Sequence, residues 1–215
     1  GYAAIFTGPE TLVFLFPEQA AGVNGLSRDL SVAAWIQPRS PGGIQHIMGA
    51  GRTSSPNDGF AFGLSDNDLR FETFGVHTYT LDTVDVQTGA WTHVAAVMDE
   101  YNDVTFYVDG VARGTVSHDQ PANVDTDDPF LIGSGILWSS DAGFDGTLDE
   151  IVVVGRALGA DEVRQLAQQR TVGVTAVDTA FRPVMPGSPF HNPTQPASLA
   201  LLLPLDDTFN ANNVD

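Results

Sequence analysis

The five histidines, His46, His77, His93, His118 and His191, are the side chains best equipped for metal or acid–base chemistry, yet their spacing arranges them for neither. No two fall at the HExxH or HxH interval that would put both imidazoles on one metal, so a zinc-protease centre has no support. Nor is there a G-x-S-x-G turn to expose a serine nucleophile. The absence of cysteine removes thiolate catalysis, Cys-based zinc sites and a disulfide framework together. Retaining glycoside hydrolysis needs two carboxylates about 5 Å apart. The glutamates, Glu10, Glu18, Glu72, Glu100, Glu150 and Glu162, are too scattered for one strand to carry two of them. These residues read as those of a non-enzymatic protein.

Oxygen-ligand and aromatic chemistry remain. Asp and Glu number 27 against 9 basic residues, all of them arginine, for a formal charge of −18. Such a surface repels polyanions, so nucleic acid and anionic lipid are poor partners and cations better ones. Calcium suits Asp, Asn and carbonyl oxygens, although no EF-hand-like loop is present. The acidic run at 117–129, with Asp119, Asp125, Asp127 and Asp128, reads first as solvated surface and only second as a metal site. Trp138, in a loop at 135–143, and Tyr101 are candidate platforms for stacking a sugar ring, whereas Trp35, inside an apolar strand, reads as core. Arginine without lysine, and aspartate well above glutamate, point to a saline habitat or a GC-rich genome rather than to heat.

These side chains need a scaffold, and the pattern at 91–116 specifies one. Val94, Ala96 and Met98 alternate with His93, Ala95 and Val97, and Val104, Phe106 and Val108 alternate with Thr105 and Tyr107, as in two strands with distinct faces. Asp109-Gly110 then predicts a tight hairpin, because a type I′ turn needs positive φ at both central positions. Residues 30–37 form another strand, with Val32, Ala34 and Ile36 on one face and Ala33, Trp35 and Gln37 on the other. Further strands at 1–6, 11–16, 44–50, 60–64, 69–74, 78–81, 112–116, 130–133 and 146–154 follow at the short intervals of an all-β sandwich. A single helix is predicted over 160–169, with Asp161 and Glu162 in the first turn, where the helix dipole favours acids, and Val163 and Leu166 toward the sheet. Over 171–197, Pro183, Pro186, Pro189, Pro193 and Pro196 recur among Gly, Ser, Thr and Asn, the composition of an extended linker. The 215 residues suit one domain with an extension.

Four stretches in order resemble the laminin G-like, concanavalin A-like jelly-roll family: LSVAAWIQP at 30–38, GFAFGLSDNDLRFETF at 59–74, the hairpin region at 91–116, and FDGTLDEIVVVGRALGADEVRQL at 144–166. The resemblance implies an all-β fold, an antiparallel jelly-roll β-sandwich over 1–170 with one short C-terminal helix, followed by the proline-rich linker at 171–197 and a terminal strand segment at 198–215. It also implies a structural Ca2+ site at Asp149 and Glu150, helped by the acid of the family's first strand, matched here by Asp206 and Asp207. An equally open reading is that Asp149 and Glu150 only hydrogen-bond loop backbone.

In that family an apolar run ending in Pro-Leu-Asp opens the domain and lies beside the strand matching 146–154. Here the run stands instead at 199–207, as LALLLPLDD. Leu199, Leu201, Leu203 and Leu205 would face one side and Ala200, Leu202 and Pro204 the other, so the segment is apolar on both faces and costly to leave in water. It could fold back into its own domain, begin a second repeat, or complete a neighbouring copy by donor-strand exchange, a head-to-tail contact that builds filaments. The five prolines favour a bridge between copies. The expectation is therefore an extracellular or cell-surface module that self-assembles head-to-tail. The alternative is a calcium-dependent carbohydrate-binding or adhesion module with surface glycans as partners. The longest apolar run, 199–203, is too short to span a bilayer, and no signal peptide opens the chain.

Overall fold

The structure is a computed structural model and describes residues 3–8, 12–15, 29–51, 58–120, 122, 124, 128–136, 142–168 and 200–203. Two antiparallel sheets form a sandwich. One has the order β1 (Ala4–Thr7), β12 (Asp145–Val154), β3 (Leu30–Pro38), β8 (Thr92–Met98), β9 (Val104–Val108), β10 (Val111–Val116), with β13 (Ala200–Leu203) also paired to β12. The other runs β2 (Val13–Leu15), β11 (Phe130–Ile132), β4 (Ile44–Ala50), β5 (Phe60–Ser65), β6 (Asp68–Thr73), β7 (His77–Leu81). The two short strands flanking Gly8 thus separate, β1 joining the seven-stranded sheet and β2 the six-stranded one.

The core lies between the sheets and follows the period-two alternation. Val32, Ala34 and Ile36 of β3 meet Val94, Ala96 and Met98 of β8 and, from the opposite sheet, Phe60, Phe62, Phe71 and Tyr79. The Asp109-Gly110 turn has φ of 51° and 75°, the positive pair that a type I′ hairpin requires. A Cβ on Gly110 would also fall 2.8 Å from the Arg164 Cα, because the turn rests against the helix α1 (Ala160–Gln168).

α1 covers the outer face of the seven-stranded sheet. Val163 and Leu166 pack there on Ala33, Ala95, Val97, Tyr107, Val152 and Val154. The helix start is anchored by Glu162, which accepts a hydrogen bond from the Gly159 N–H at 2.8 Å and from Arg156 Nη1 at 2.9 Å. Trp35 corrects its sequence reading. It shares the face of Ala33, outside the sandwich, half-buried and edge-on to His93 at 5.6 Å between ring centroids. Asp128, read as part of a solvated acidic run, is buried at 3 % exposure.

β3 occupies one edge of β12, and the other edge is shared. β1 pairs with Asp145 to Leu148 (Ala4 opposite Leu148), and β13 pairs with Ile151 to Val154 (Leu203 opposite Ile151). Between the two halves β12 bulges. Asp149 faces Trp35 and Val152 faces Ala33, so β12 has one residue more than its partner, and Glu150 takes φ 49° to accommodate it.

Candidate functional site

The outward face of the six-stranded sheet carries two rows of residues set by strand register. One row runs His46, Gly63, Arg70, Thr80 across β4, β5, β6 and β7. The adjacent row runs Gly49, Ala61, Glu72, Thr78 across the same strands. Alternation places them: in β6, Leu69 and Phe71 enter the core, so Arg70 and Glu72 point away from it. In β4 a register shift between His46 and Met48 resets the phase, sending Met48 inward and leaving Gly49 outward.

Two segments lie against part of this face: at 133–136 the Gly133 N–H donates to the Ile47 carbonyl, and at 142–143 the Ala142 carbonyl accepts from the His46 N–H at 2.7 Å. Only small residues allow so close an approach. A Cβ on Gly49 would lie 2.8 Å from the Gly135 Cα, and a Cβ on Gly135 would lie 2.5 Å from the Ala61 Cβ and 2.9 Å from the His46 ring. Trp138 falls between the two segments in sequence and lies outside the described residues.

His46 is buried beside Gly135, and neither ring nitrogen has a hydrogen-bond partner. Burial, with a smaller contribution from the Arg70 charge, lowers its pKa to about 4, so the imidazole is neutral at pH 7, one nitrogen a donor and the other an acceptor. Gly63 stands between His46 and Arg70 in the row and interposes no side chain. Arg70 donates from Nη2 to Glu72 Oε2 at 2.7 Å, while its Nε is buried and unpartnered. Thr78 and Thr80 complete the open side, both half-buried. The face thus offers a guanidinium, one carboxylate and two hydroxyls, with the neutral imidazole buried behind them, a mixture of donors and acceptors suited to hydroxyl-rich ligands. Glu72 is the sole carboxylate of the two rows, and carboxylate-pair hydrolysis needs two.

The residues named from sequence fall elsewhere. Tyr101 stands 71 % exposed on the β8–β9 turn of the other sheet, its N–H donating to Asp99 Oδ1 at 2.9 Å. Asp149 and Glu150 form the β12 bulge, where Asp149 Oδ1 accepts the Glu150 N–H at 2.9 Å. No group of three His, Cys, Asp or Glu side chains converges as metal ligands among the described residues. Asp206 and Asp207, expected to complete a calcium site, lie outside them, as do Leu199 and Leu205, whereas Leu201, Leu202 and Leu203 form part of β13. His46, Arg70 and Glu72 were absent from that selection. Their signal was an Arg and a Glu two apart in an alternating strand, and a histidine in a mostly apolar one.

Two antiparallel sheets wound as a sandwich, with one helix on the outside and polar groups gathered on an outer sheet face, define a lectin-type jelly roll. The chain belongs to the concanavalin A-like lectin/glucanases superfamily, whose family model matches residues 16–164. Solved structures share the fold at low sequence identity. The Ruminococcus gnavus IT-sialidase CBM40 bound to α2,3 sialyllactose is 16 % identical with a TM-score of 0.63, covering 78 % of this chain and 97 % of that one. Domain 4 of AbnA, a GH43 extracellular arabinanase from Geobacillus stearothermophilus, in complex with arabinotriose, is 22 % identical with a TM-score of 0.59, covering 78 % and 77 %. The heptameric SAP-like pentraxin of Limulus polyphemus is 16 % identical with a TM-score of 0.54, covering 67 % and 72 %. No curated protein sequence is significantly similar to this chain. Among the described residues no helix is long and apolar enough to cross a membrane.

Proposed function

We propose that this chain is a non-catalytic carbohydrate-binding module that works outside the cell or at its surface, with the glycan lying on the outer face of the six-stranded sheet. The observation that carries the reading is the Arg70–Glu72 pair, 17 % and 22 % exposed on that face, with Thr78 and Thr80 beside it, a set of donors and acceptors that matches sugar hydroxyls. The likeness in fold to domains solved with sialyllactose and arabinotriose supports it. Trp138, which in sequence falls between the segments 133–136 and 142–143, is the proposed ring platform, and Tyr101 the alternative one. Glycan-array binding followed by titration calorimetry tests this. Arg70→Ala should weaken binding at least tenfold while the melting temperature stays within a few degrees of the parent, and Trp138→Ala should do the same. Binding untouched by Arg70→Ala would move the site off this face. Calcium dependence is proposed only through Asp149 and Glu150. Its check is a rise in melting temperature on adding Ca2+ that Asp149→Ala removes.

One observation favours a second reading, head-to-tail self-assembly. The strand 200–203 is held on β12 by a four-residue backbone ladder, and the same ladder can form with the β12 of another copy. In this reading, size-exclusion chromatography with light scattering shows mass rising with concentration, and deletion of 198–215 yields a monomer that a peptide of that sequence restabilises. A full-length chain that stays monomeric at high concentration would leave the strand to its own domain.

A further inference from the structure

The charge balance of the face narrows the ligand class, an inference that rests on the glycan-binding reading. The one arginine of the two rows, Arg70, is already neutralised by Glu72 at 2.7 Å, and both side chains are mostly withdrawn from water, 17 % and 22 % exposed. His46 is uncharged at neutral pH. The arginines Arg39, Arg156 and Arg164 are likewise each held by a carboxylate, Asp145, Glu162 and Asp161 in turn. Around this neutral face the chain carries a formal charge of −18.

We propose that the glycan bound on this face is uncharged, with neighbouring hydroxyls donating to Glu72 and accepting from Arg70, and that sialylated, uronate and sulfated glycans are rejected. A sugar hydroxyl both donates and accepts, so two adjacent hydroxyls match a guanidinium–carboxylate pair without disrupting it. An acidic sugar accepting from the remaining donors of Arg70 would set a second anion beside the half-buried Glu72 carboxylate and compete for its counter-charge, a like-charge juxtaposition that disfavours binding. The long-range field acts in the same direction, lowering the local concentration of anions.

The experiment is a glycan array of neutral oligosaccharides, arabinotriose among them, beside sialylated, uronate and sulfated counterparts including 3′-sialyllactose, read in EDTA so that no bridging cation contributes. The expected result is binding confined to neutral glycans, at least tenfold stronger than to any acidic one. Glu72→Gln, which keeps the shape and removes the counter-charge, should weaken the neutral ligands and raise acidic ones about tenfold. Strongest binding of the parent protein to acidic glycans would overturn the ligand class while leaving glycan binding intact. An unchanged profile for a folded Glu72→Gln would overturn the role of the Arg70–Glu72 pair. Failure to bind any glycan would overturn the functional reading, and this inference with it.

Discussion

His46 and His93 are both held uncharged by burial, their pKa values lowered from 6.5 to about 4. His46 sits against Gly135, and His93 packs against Trp35 on the opposite face of the molecule. In the unfolded chain each titrates near 6.5, so below that pH the unfolded state binds protons that the folded state refuses. The contribution is complete above pH 6.5 and is lost as pH falls toward 4. At 1.36 kcal/mol per unit, each histidine contributes at most about 3 kcal/mol. Urea unfolding midpoints measured from pH 8 to pH 4 should therefore fall steeply below pH 6.5, and a flat profile there would refute the burial of both rings. Asp145, held below its usual pKa by hydrogen bonds from Arg39 and Ser40, adds to the loss at still lower pH. At this scale the Arg70–Glu72 pair was legible, since alternation with Leu69 and Phe71 puts both on one outer face. His46 was not. The register shift beside it breaks the alternation from which its face would be read.

Among the elements, the hairpin at 104–116 shows local sequence and tertiary packing agreeing. Asp109-Gly110 sets the turn by its own backbone preferences, and the turn is then seated on α1, where a Cβ at Gly110 has no room beside Arg164 and Ala167. Gly110→Ala combines a positive φ with a steric clash, and should cost about 1–3 kcal/mol. The check is chemical denaturation with an unchanged glycan profile, because the turn lies on the sheet opposite the proposed site. A loss below about 0.5 kcal/mol would mean that the turn is free to leave the helix. The strand β12 is the contrary case. Its run Ile151 to Val154 announces burial on both faces, and the structure agrees, yet nothing in that run reveals that its outer edge is divided between β1 and β13 at the Glu150 bulge.

For the whole molecule, the formal charge of −18 stands out. The ion pairs of Arg39, Arg70, Arg156 and Arg164 each consume a basic residue without changing that excess. Self-repulsion of the remaining carboxylates opposes the compact state, and salt shortens the screening length from about 10 Å at 0.1 M to about 3 Å at 1 M. The melting temperature should rise over that range of NaCl. An unchanged value would mean that the acidic surface places no load on folding and would remove the reason to expect a saline habitat.

Composition and alternation alone determined the all-β class, most strand positions, the hairpin turn and the helix with Val163 and Leu166 inward, because each depends on residues near in sequence and on a period of two or 3.6. The laminin G-like resemblance supplied the antiparallel jelly-roll sandwich. Tertiary structure decided what local periodicity cannot express. It placed Trp35 outside the core, separated β1 from β2 into different sheets, and set Gly135 against the His46 ring. It also brought His46 into line with Arg70 across Gly63, three residues on three strands that become neighbours only through interstrand register. Alternation assigns a side chain to a face. Which loop covers that face, and which residues from distant strands share it, are fixed only when both sheets have paired.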